Sequence, residues 1–333
     1  MGLTELEQTN AVIGLSMRIE GWPSTLADHG YTLDRIELVL KVRDPKRPGF
    51  SLRINPDLLF VADARNLSLI AELKSGRFQD FQQLDRAMSV TPLELIRSGK
   101  VPVLDQSQIH SHHIGVAEII NEEFVAEYVG EFERVNHKAS LISMGHRTII
   151  KSHHGSLPDS RMDHALKAGI TLEGCYPPTK LVPVLPTSGD EYALASSVVD
   201  GVKQLWVNNV RTVSPADVGR IVFKQLWERF GSEAQARYLA VARDELREMV
   251  QTDFHTYLRP LANENDKWAL IQLPESVSDR NRTKHYQQFG GVVRDYKWRR
   301  KTNAEPVRRH PSQVTMEDVP GFLPIISKEE EEQ

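Results

Sequence analysis

The sequence predicts an α/β fold: a mixed central sheet flanked by helices, followed by a mostly helical C-terminal region. Three observations point there. Residues 54–76 read as two apolar strands joined by a short polar turn. Both faces of these strands are apolar, with Leu58, Phe60, Leu69, Ala71 and Leu73 on one and Leu59, Val61 and Ile70 on the other. Strands buried on both faces are interior strands of layered α/β domains. Beyond them, helix-like and strand-like segments alternate, as in a sheet whose strands are linked by helices.

The elements follow in order. Residues 3–20 predict a helix stopped by Gly21 and Pro23. Residues 36–43 read as a strand, and Asp44 to Gly49, with Pro45 and Pro48, as a turn. Strands at 54–62 and 67–74 come next. Residues 77–98 predict a helical stretch with Phe78, Phe81, Leu84 and Met88 on one face, broken or restarted at Pro92. A strand at 114–120, a helix at 122–137 and a strand pair near 140–151 complete this part.

Further on, residues 181–185 read as a strand ended by Pro186, and 190–207 as a helix. Ser214 and Pro215 suit an N-cap and first helical position. That helix is expected to reach Phe230 and end at Gly231 as a C′ glycine. Ser232 and Gln235 have capping-box spacing for a helix running to about Val250. Such a pair suits a helix-turn-helix DNA reader or a purely structural helical hairpin.

Composition bounds the function classes. The 333 residues are enough for two domains, with 40% hydrophobic residues. The single cysteine, Cys175, excludes an intramolecular disulfide and fits a reducing compartment. No apolar run approaches the ~20 residues that span a bilayer. The acidic N-terminus lacks the apolar core of a signal peptide. A cytoplasmic protein without a membrane segment is expected. The net charge of −4 carries no global nucleic-acid signature, so any such surface is local.

Three charged residues, Asp57, Glu72 and Lys74, interrupt the apolar strands of 54–76. The turn Asp63-Ala64-Arg65-Asn66 is rich in turn formers. If the hairpin is symmetric about the Ala64–Arg65 bond, Asp57 sits directly opposite Glu72. Side chains alternate faces with a period of two, so Lys74 shares the face of Glu72. Opposed carboxylates repel, and one pKa rises unless a cation intervenes. A hard cation such as Mg²⁺ relieves this with one or two carboxylates and several waters. A lysine beside it can orient or help deprotonate a water, or stabilise charge on a phosphate. The plain alternative is a surface hairpin ending in an ordinary Glu–Lys pair; the two apolar faces disfavour it.

Pro56-Asp57 followed by Glu72-Leu73-Lys74 resembles the signature of the PD-(D/E)XK nuclease superfamily, also called the restriction-endonuclease-like fold. The resemblance covers residues 1–155, where the expected order of elements also matches. It implies that Asp57 and Glu72 hold Mg²⁺, with Mn²⁺ able to substitute and the Leu73 carbonyl a further ligand. It implies that Lys74 works on the attacking water. It also implies a further acidic residue on the first helix and a glutamine on the helix after the lysine strand. Glu5 is the first candidate for the acid, then Glu7 and Glu37; Gln82 is the candidate glutamine, with Gln79 and Gln83 as rivals.

Other candidates are weaker. His110, His112, His113, His146, His153 and His154 gather around the later strands. A zinc site is conceivable, though ordinary polar histidines are the favoured reading. Residues 156–275 read as the mostly helical region, and 276–333 as a basic aromatic segment with an acidic tail. Between 280 and 310, ten basic residues face only Asp295 and Glu305, interleaved with Tyr286, Phe289, Tyr296 and Trp298. Lys297, Arg299, Arg300 and Lys301 are its candidate nucleic-acid contacts, because cations neutralise phosphates and aromatics stack on bases. The alternative is a solvated basic tail whose aromatics dock on the core.

The expectation is a Mg²⁺-dependent endonuclease acting on DNA, with RNA as a rival substrate. It would work as a homodimer or within a protein assembly, and defence against foreign DNA is one suitable setting. The rival from another class is a catalytically silent nucleic-acid-binding subunit.

Overall fold

The computed structural model describes residues 2–44, 47, 49–97, 111–145, 148–171, 178, 181–262, 264–272 and 278–304. Two compact units emerge: Met1–Thr187 with Phe223–Arg237, and Ser188–Val222 with Tyr238–Gln333.

The first unit is built on α1 (Glu5–Leu15), α2 (Thr25–Asp28), β1 (Thr32–Ile36), β2 (Leu40–Arg43), β3 (Ser51–Ile54), β4 (Leu58–Ala62), β5 (Leu67–Lys74), α3 (Gln82–Met88), α4 (Pro92–Arg97), β6 (His113–Asn121), α5 (Val125–Val135), β7 (Ser140–Met144), β8 (Thr148–His154), α6 (Ser160–Ala168) and β9 (Ile170–Thr171). A seven-stranded sheet runs β1-β4-β5-β6-β7-β8-β9. It is mixed: β5-β6 and β6-β7 pair in parallel and the other neighbours antiparallel. Parallel neighbours require crossovers, which α3 with α4 and then α5 supply. β4 and β5 are buried along nearly their whole length, as their two apolar faces require. On one face Leu59, Val61, Ile70, Val116, Ile120 and Leu141 meet Leu84, Ala87, Leu95, Tyr128 and Phe132. The α/β expectation therefore holds, with a helical C-terminal region.

Several boundaries differ from the sequence reading, each for a local reason. The first helix stops at Leu15 rather than residue 20, because Ser16 turns its N–H and hydroxyl onto the Ile13 carbonyl. The expected 36–43 strand is split. Glu37 has φ 51°, so β1 ends at Ile36 and β2 begins at Leu40 as one arm of a separate β2-β3 hairpin. Phe78 and Phe81 precede α3 but pack on its core, whereas Met88 is 40% exposed. Residues 181–185 form no strand. The Val182 N–H and carbonyl are instead satisfied by the Asn10 side chain, at 2.7 and 2.9 Å.

After residue 187 the structure keeps part of the expected order of elements. The expected helix at 190–207 is α7 (Glu191–Val207), and Pro215 opens α8 (Pro215–Phe223). Left-handed Lys224, φ 52°, ends α8, and a 3-10 turn follows over Lys224–Arg229. Gly231 is not a C′ glycine. Its N–H donates to the Ile36 carbonyl at 2.8 Å, and a Cβ there would strike the Glu37 carbonyl oxygen. Gln235 makes no capping box, since its amide donates to the Trp227 carbonyl while α9 (Ser232–Val250) begins. The boundary between the two units runs through this helical pair.

In the second unit, β10 (Thr212–Val213), β12 (Trp268–Leu270) and β11 (Leu258–Pro260) form a small antiparallel sheet. The basic aromatic segment is the helix α10 (Asp279–Ala304). Phe289, Val293 and Tyr296 are buried, and Phe289 lies 4.2 Å from Trp206 of α7. Among the described residues, no helix is long and apolar enough to cross a membrane.

Candidate active site

The β4-β5 hairpin has the register the turn chemistry implies. Leu58 pairs with Ala71 and each successive pair follows to Ala62 with Leu67. One step further sets Asp57 opposite Glu72. The turn is one 3-10 turn, Asp63–Arg65, closed by Asn66 at φ 54°, a conformation asparagine tolerates. Asp57 is fixed from three sides. Its Oδ2 accepts the Leu73 N–H at 2.7 Å, its carbonyl accepts the Glu37 N–H at 2.7 Å, and the Pro56 carbonyl accepts the Leu38 N–H at 3.1 Å.

The parallel partner of β5 adds a residue the sequence reading did not single out. Glu72 pairs with Glu118 of β6, and both are 2% exposed. Paired residues project from the same face, and Lys74 shares it two positions on. This is the face carrying Ile70, Val116 and Ile120, covered by α3 and α5. The signal was a glutamate inside the apolar run Val116 to Ile120, the same kind of interruption that marked Glu72.

Electrostatics bind these groups together. Burial pushes the Glu72 carboxyl well above its ordinary range; Asp57 and Glu118 push the same way, and Lys74 opposes. Burial also raises Asp57, against the Leu73 hydrogen bond and Lys74. Glu118 is raised to about 7, chiefly by burial, with Lys74 lowering it and Asp80 raising it. Glu37 rises to about 8 through burial, then through Asp57 and Glu5. Glu5 is exposed, yet close enough to act on both Asp57 and Glu37. It thus lies nearer the site than Glu7, whose carboxylate closes the Thr4 capping box.

The glutamine assignment shifts by one residue. Gln82 begins α3, and its backbone N–H donates to Asp80. Gln83 is the residue whose Oε1 accepts from the Lys74 ammonium. Gln79 is exposed. Behind the lysine, buried Gln8 of α1 donates to the Lys74 carbonyl at 3.2 Å and to Asn121 Oδ1 at 3.1 Å. Asn121 also donates to the carbonyls of Leu3 and Ser75. This pins the end of β5 to the N-terminal segment.

The donor set suits a hard divalent cation. It is all oxygen, and the buried atoms Glu118 Oε2, Glu37 Oε2 and Gln8 Oε1 have no hydrogen-bond partner among the described residues. Carboxyls raised chiefly by burial are those a cation would return to the ionised form. Among the described residues no three His, Cys, Asp or Glu side chains make a ready metal-binding group, so Asp57 and Glu72 would act as a pair with water and carbonyl oxygens.

The other candidates disperse. His112 meets Ser68 at 2.8 Å, His153 meets Ser143 at 2.7 Å, and His154 reaches the His137 carbonyl at 2.9 Å. His110, His146 and Cys175 lie outside the described residues, as do Arg308, Arg309 and the acidic tail. On α10, Lys297 pairs with Asp200 at 2.7 Å, and Arg300 pairs with Glu245 at 2.8 Å and Glu248 at 2.9 Å. Arg299 and Lys301 are half-buried on the same helix. Phe289 and Tyr296 are core residues, whereas Tyr286 is 41% exposed.

Residues 4–144 match the family model described as the MJECL32 domain. The match runs from the N-cap of α1 to the end of β7 and contains Asp57, Glu72, Lys74 and Glu118. No curated protein matches the chain, and no solved structure matches it.

Proposed function

We propose that the protein is a Mg²⁺-dependent nuclease of the restriction-endonuclease-like type that hydrolyses DNA phosphodiester bonds. The observation that carries this reading is the hairpin register, which opposes Asp57 to Glu72 with Lys74 two residues on. The buried Glu72 carboxyl facing the partly buried Asp57 destabilises the sheet, and a cation-dependent role accounts for their placement.

Asp57 and Glu72 would hold the cation, with the Leu73 carbonyl as a further oxygen. Mg²⁺ there supplies Lewis acidity toward the phosphate and lowers the pKa of water. Lys74 orients the attacking water and balances negative charge gathering on the phosphate. Gln83 steadies the ammonium, and the Gln8–Asn121 pair fixes the backbone beneath it. One such site cuts one strand, so duplex cleavage calls for two copies or two encounters.

The test is cleavage of plasmid and single-stranded DNA with Mg²⁺ or Mn²⁺, with matched RNA as control. Lys74→Ala is expected to lose at least ~100-fold in rate, and EDTA to abolish cleavage. Equal cleavage by wild type and Lys74→Ala would reject this site.

A further inference from the structure

We propose that the outer face of the β2-β3 ribbon is a DNA-binding surface, placed to hold the strand that runs out of the candidate active site. Its part in cleavage rests on the nuclease reading; its binding of DNA does not.

The ribbon has two unlike faces. Leu40, Val42 and Ile54 are buried, Leu52 is half-buried, and all four pack on the core cluster of Leu59, Val61 and Ile70. Successive side chains alternate, so Lys41, Arg43, Ser51 and Arg53 point the other way, and all four are exposed. Lys41 stands directly opposite Arg53, and Arg43 opposite Ser51. Like charges opposed across two strands repel, and the apolar inner face holds them together. Arg47, exposed in the connecting turn, carries the row to the tip.

The acids nearby leave this face basic. Among the described residues, Lys41, Arg43 and Arg47 enter no ion pair. Glu94 of α4 lies beside Arg43, but its oxygens accept the Arg43 backbone N–H at 2.7 Å and the Thr91 N–H and hydroxyl at 3.0 and 2.7 Å. Arg53 pairs with Glu233 of α9, and both side chains are more than half exposed. Such a pair is weak in water, so a phosphate can take over the guanidinium. Arg237, also exposed, follows Glu233 by one turn on the same helix face.

The backbone ties this face to the site. The Glu37 and Leu38 N–H groups, just before β2, donate to the Asp57 and Pro56 carbonyls. Only Asn55 and Pro56 separate β3 from Asp57. The cluster beneath the ribbon includes Ile70, which shares its sheet face with Glu72 and Lys74. Ser51, opposite Arg43, is six residues from Asp57 and so within ~22 Å of it along the chain. That span covers about six nucleotide steps of one strand. A compact anion would meet one or two of these cations, whereas a chain of phosphates meets them all.

The test is the double variant Lys41→Gln with Arg43→Gln, in which neither change touches the core. Fluorescence anisotropy of a labelled DNA oligonucleotide is followed across a salt series in EDTA, where nothing is cut. Affinity at low salt is expected to fall about tenfold or more, and the slope of log affinity against log salt to drop by up to ~2. Lys41→Arg with Arg43→Lys, which keeps both charges, is expected to bind as wild type does. Lys138→Gln with Arg161→Gln removes two exposed cations elsewhere in this unit and is expected to leave the slope unchanged. An equal loss in that control, or an unchanged slope in the ribbon variant, would overturn the proposal. Displacement of the oligonucleotide by poly-glutamate at equal charge would assign the face to an acidic protein and would also overturn it. With Mg²⁺, the ribbon variant is expected to raise KM, and a loss confined to kcat would count against a binding surface. If wild type cleaves nothing, the nuclease reading fails, and the salt series still decides the ribbon. If the double variant does not fold, the two single variants decide: a slope lowered by about one in each supports the surface, and no change in either overturns it.

Discussion

Glu72 and Glu118 stand side by side in the parallel pairing of β5 and β6, each 2% exposed. Two buried acids on one sheet face set a pH dependence that ordinary surface carboxylates do not. Burial pushes Glu118 up to about 7, against an ordinary glutamate value of 4.5, and Glu37 up to about 8, and it raises Glu72 in the same direction. The folded state therefore holds these protons more tightly than the unfolded state. Below about 4.5 both states are protonated and nothing is lost. As pH rises from there, the unfolded chain ionises first, so stability falls, levelling off above about 7 for Glu118 and about 8 for Glu37. For Glu118 the full effect is about 3 kcal/mol. Asp159 and Glu94 are shifted down by their hydrogen bonds, so their losses fall below this window. Urea unfolding in EDTA is expected to show stability declining from pH 5 to pH 8, with a shallower decline in Glu118→Gln. A flat or rising profile would contradict the burial argument.

A divalent cation reverses that trend. It competes with protons for Asp57 and Glu72, so it binds more tightly at pH 8 than at pH 5.5. At a hundredfold excess over Kd, Mn²⁺ is expected to stabilise the fold by about 2.7 kcal/mol. Asp57→Asn and Glu72→Gln should each lose most of that gain while remaining folded, because removing one of two crowded acids relieves the metal-free protein. Thermal shift with and without Mn²⁺ at the two pH values checks both points. Equal shifts in the variants would place the cation elsewhere.

Asn10 offers a test of the fold independent of catalysis. Its side chain takes the place of a strand partner for Val182, accepting its N–H and donating to its carbonyl, and the residue is 1% exposed. Asn10→Leu leaves both backbone groups buried and unpaired. The expected cost is about 2–4 kcal/mol, read from the midpoint of urea unfolding. A loss under about 0.5 kcal/mol would mean that water replaces the side chain.

These residues also mark how far the sequence could be read. The Asp57–Glu72 opposition was legible because a turn of favourable residues and two apolar flanks fix a register on their own. Glu118 was not, because its meaning depends on a parallel pairing made through a crossover of many residues. Gln83 stood only as a rival to Gln82, because the helix face was judged from Phe78 and Phe81, which lie before α3 begins at Gln82. The apolar run at 181–185 looks like a strand until Asn10, far away in sequence, is seen to complete its hydrogen bonds. Local chemistry was readable, and long-range pairing was not.

The basic helix α10 separates two roles that composition alone merges. Arg300 reaches Glu245, whose side chain is 2% exposed, and Glu248. Removing Arg300 strands a buried carboxyl that burial already pushes up. Arg300→Ala is expected to destabilise by about 1–3 kcal/mol, discounted because the arginine is itself partly exposed. Its effect on DNA affinity should be small at temperatures where the variant is folded. Arg280 and Lys284 at the start of α10 are exposed. Their joint replacement by alanine is expected to leave stability within about 0.5 kcal/mol. If α10 contacts phosphate, that double variant should weaken DNA binding and reduce the slope of log affinity against log salt by up to ~2. Fluorescence anisotropy across a salt series, beside urea unfolding of both variants, measures the two effects separately. A large affinity loss in Arg300→Ala at full stability would return that arginine to the binding surface.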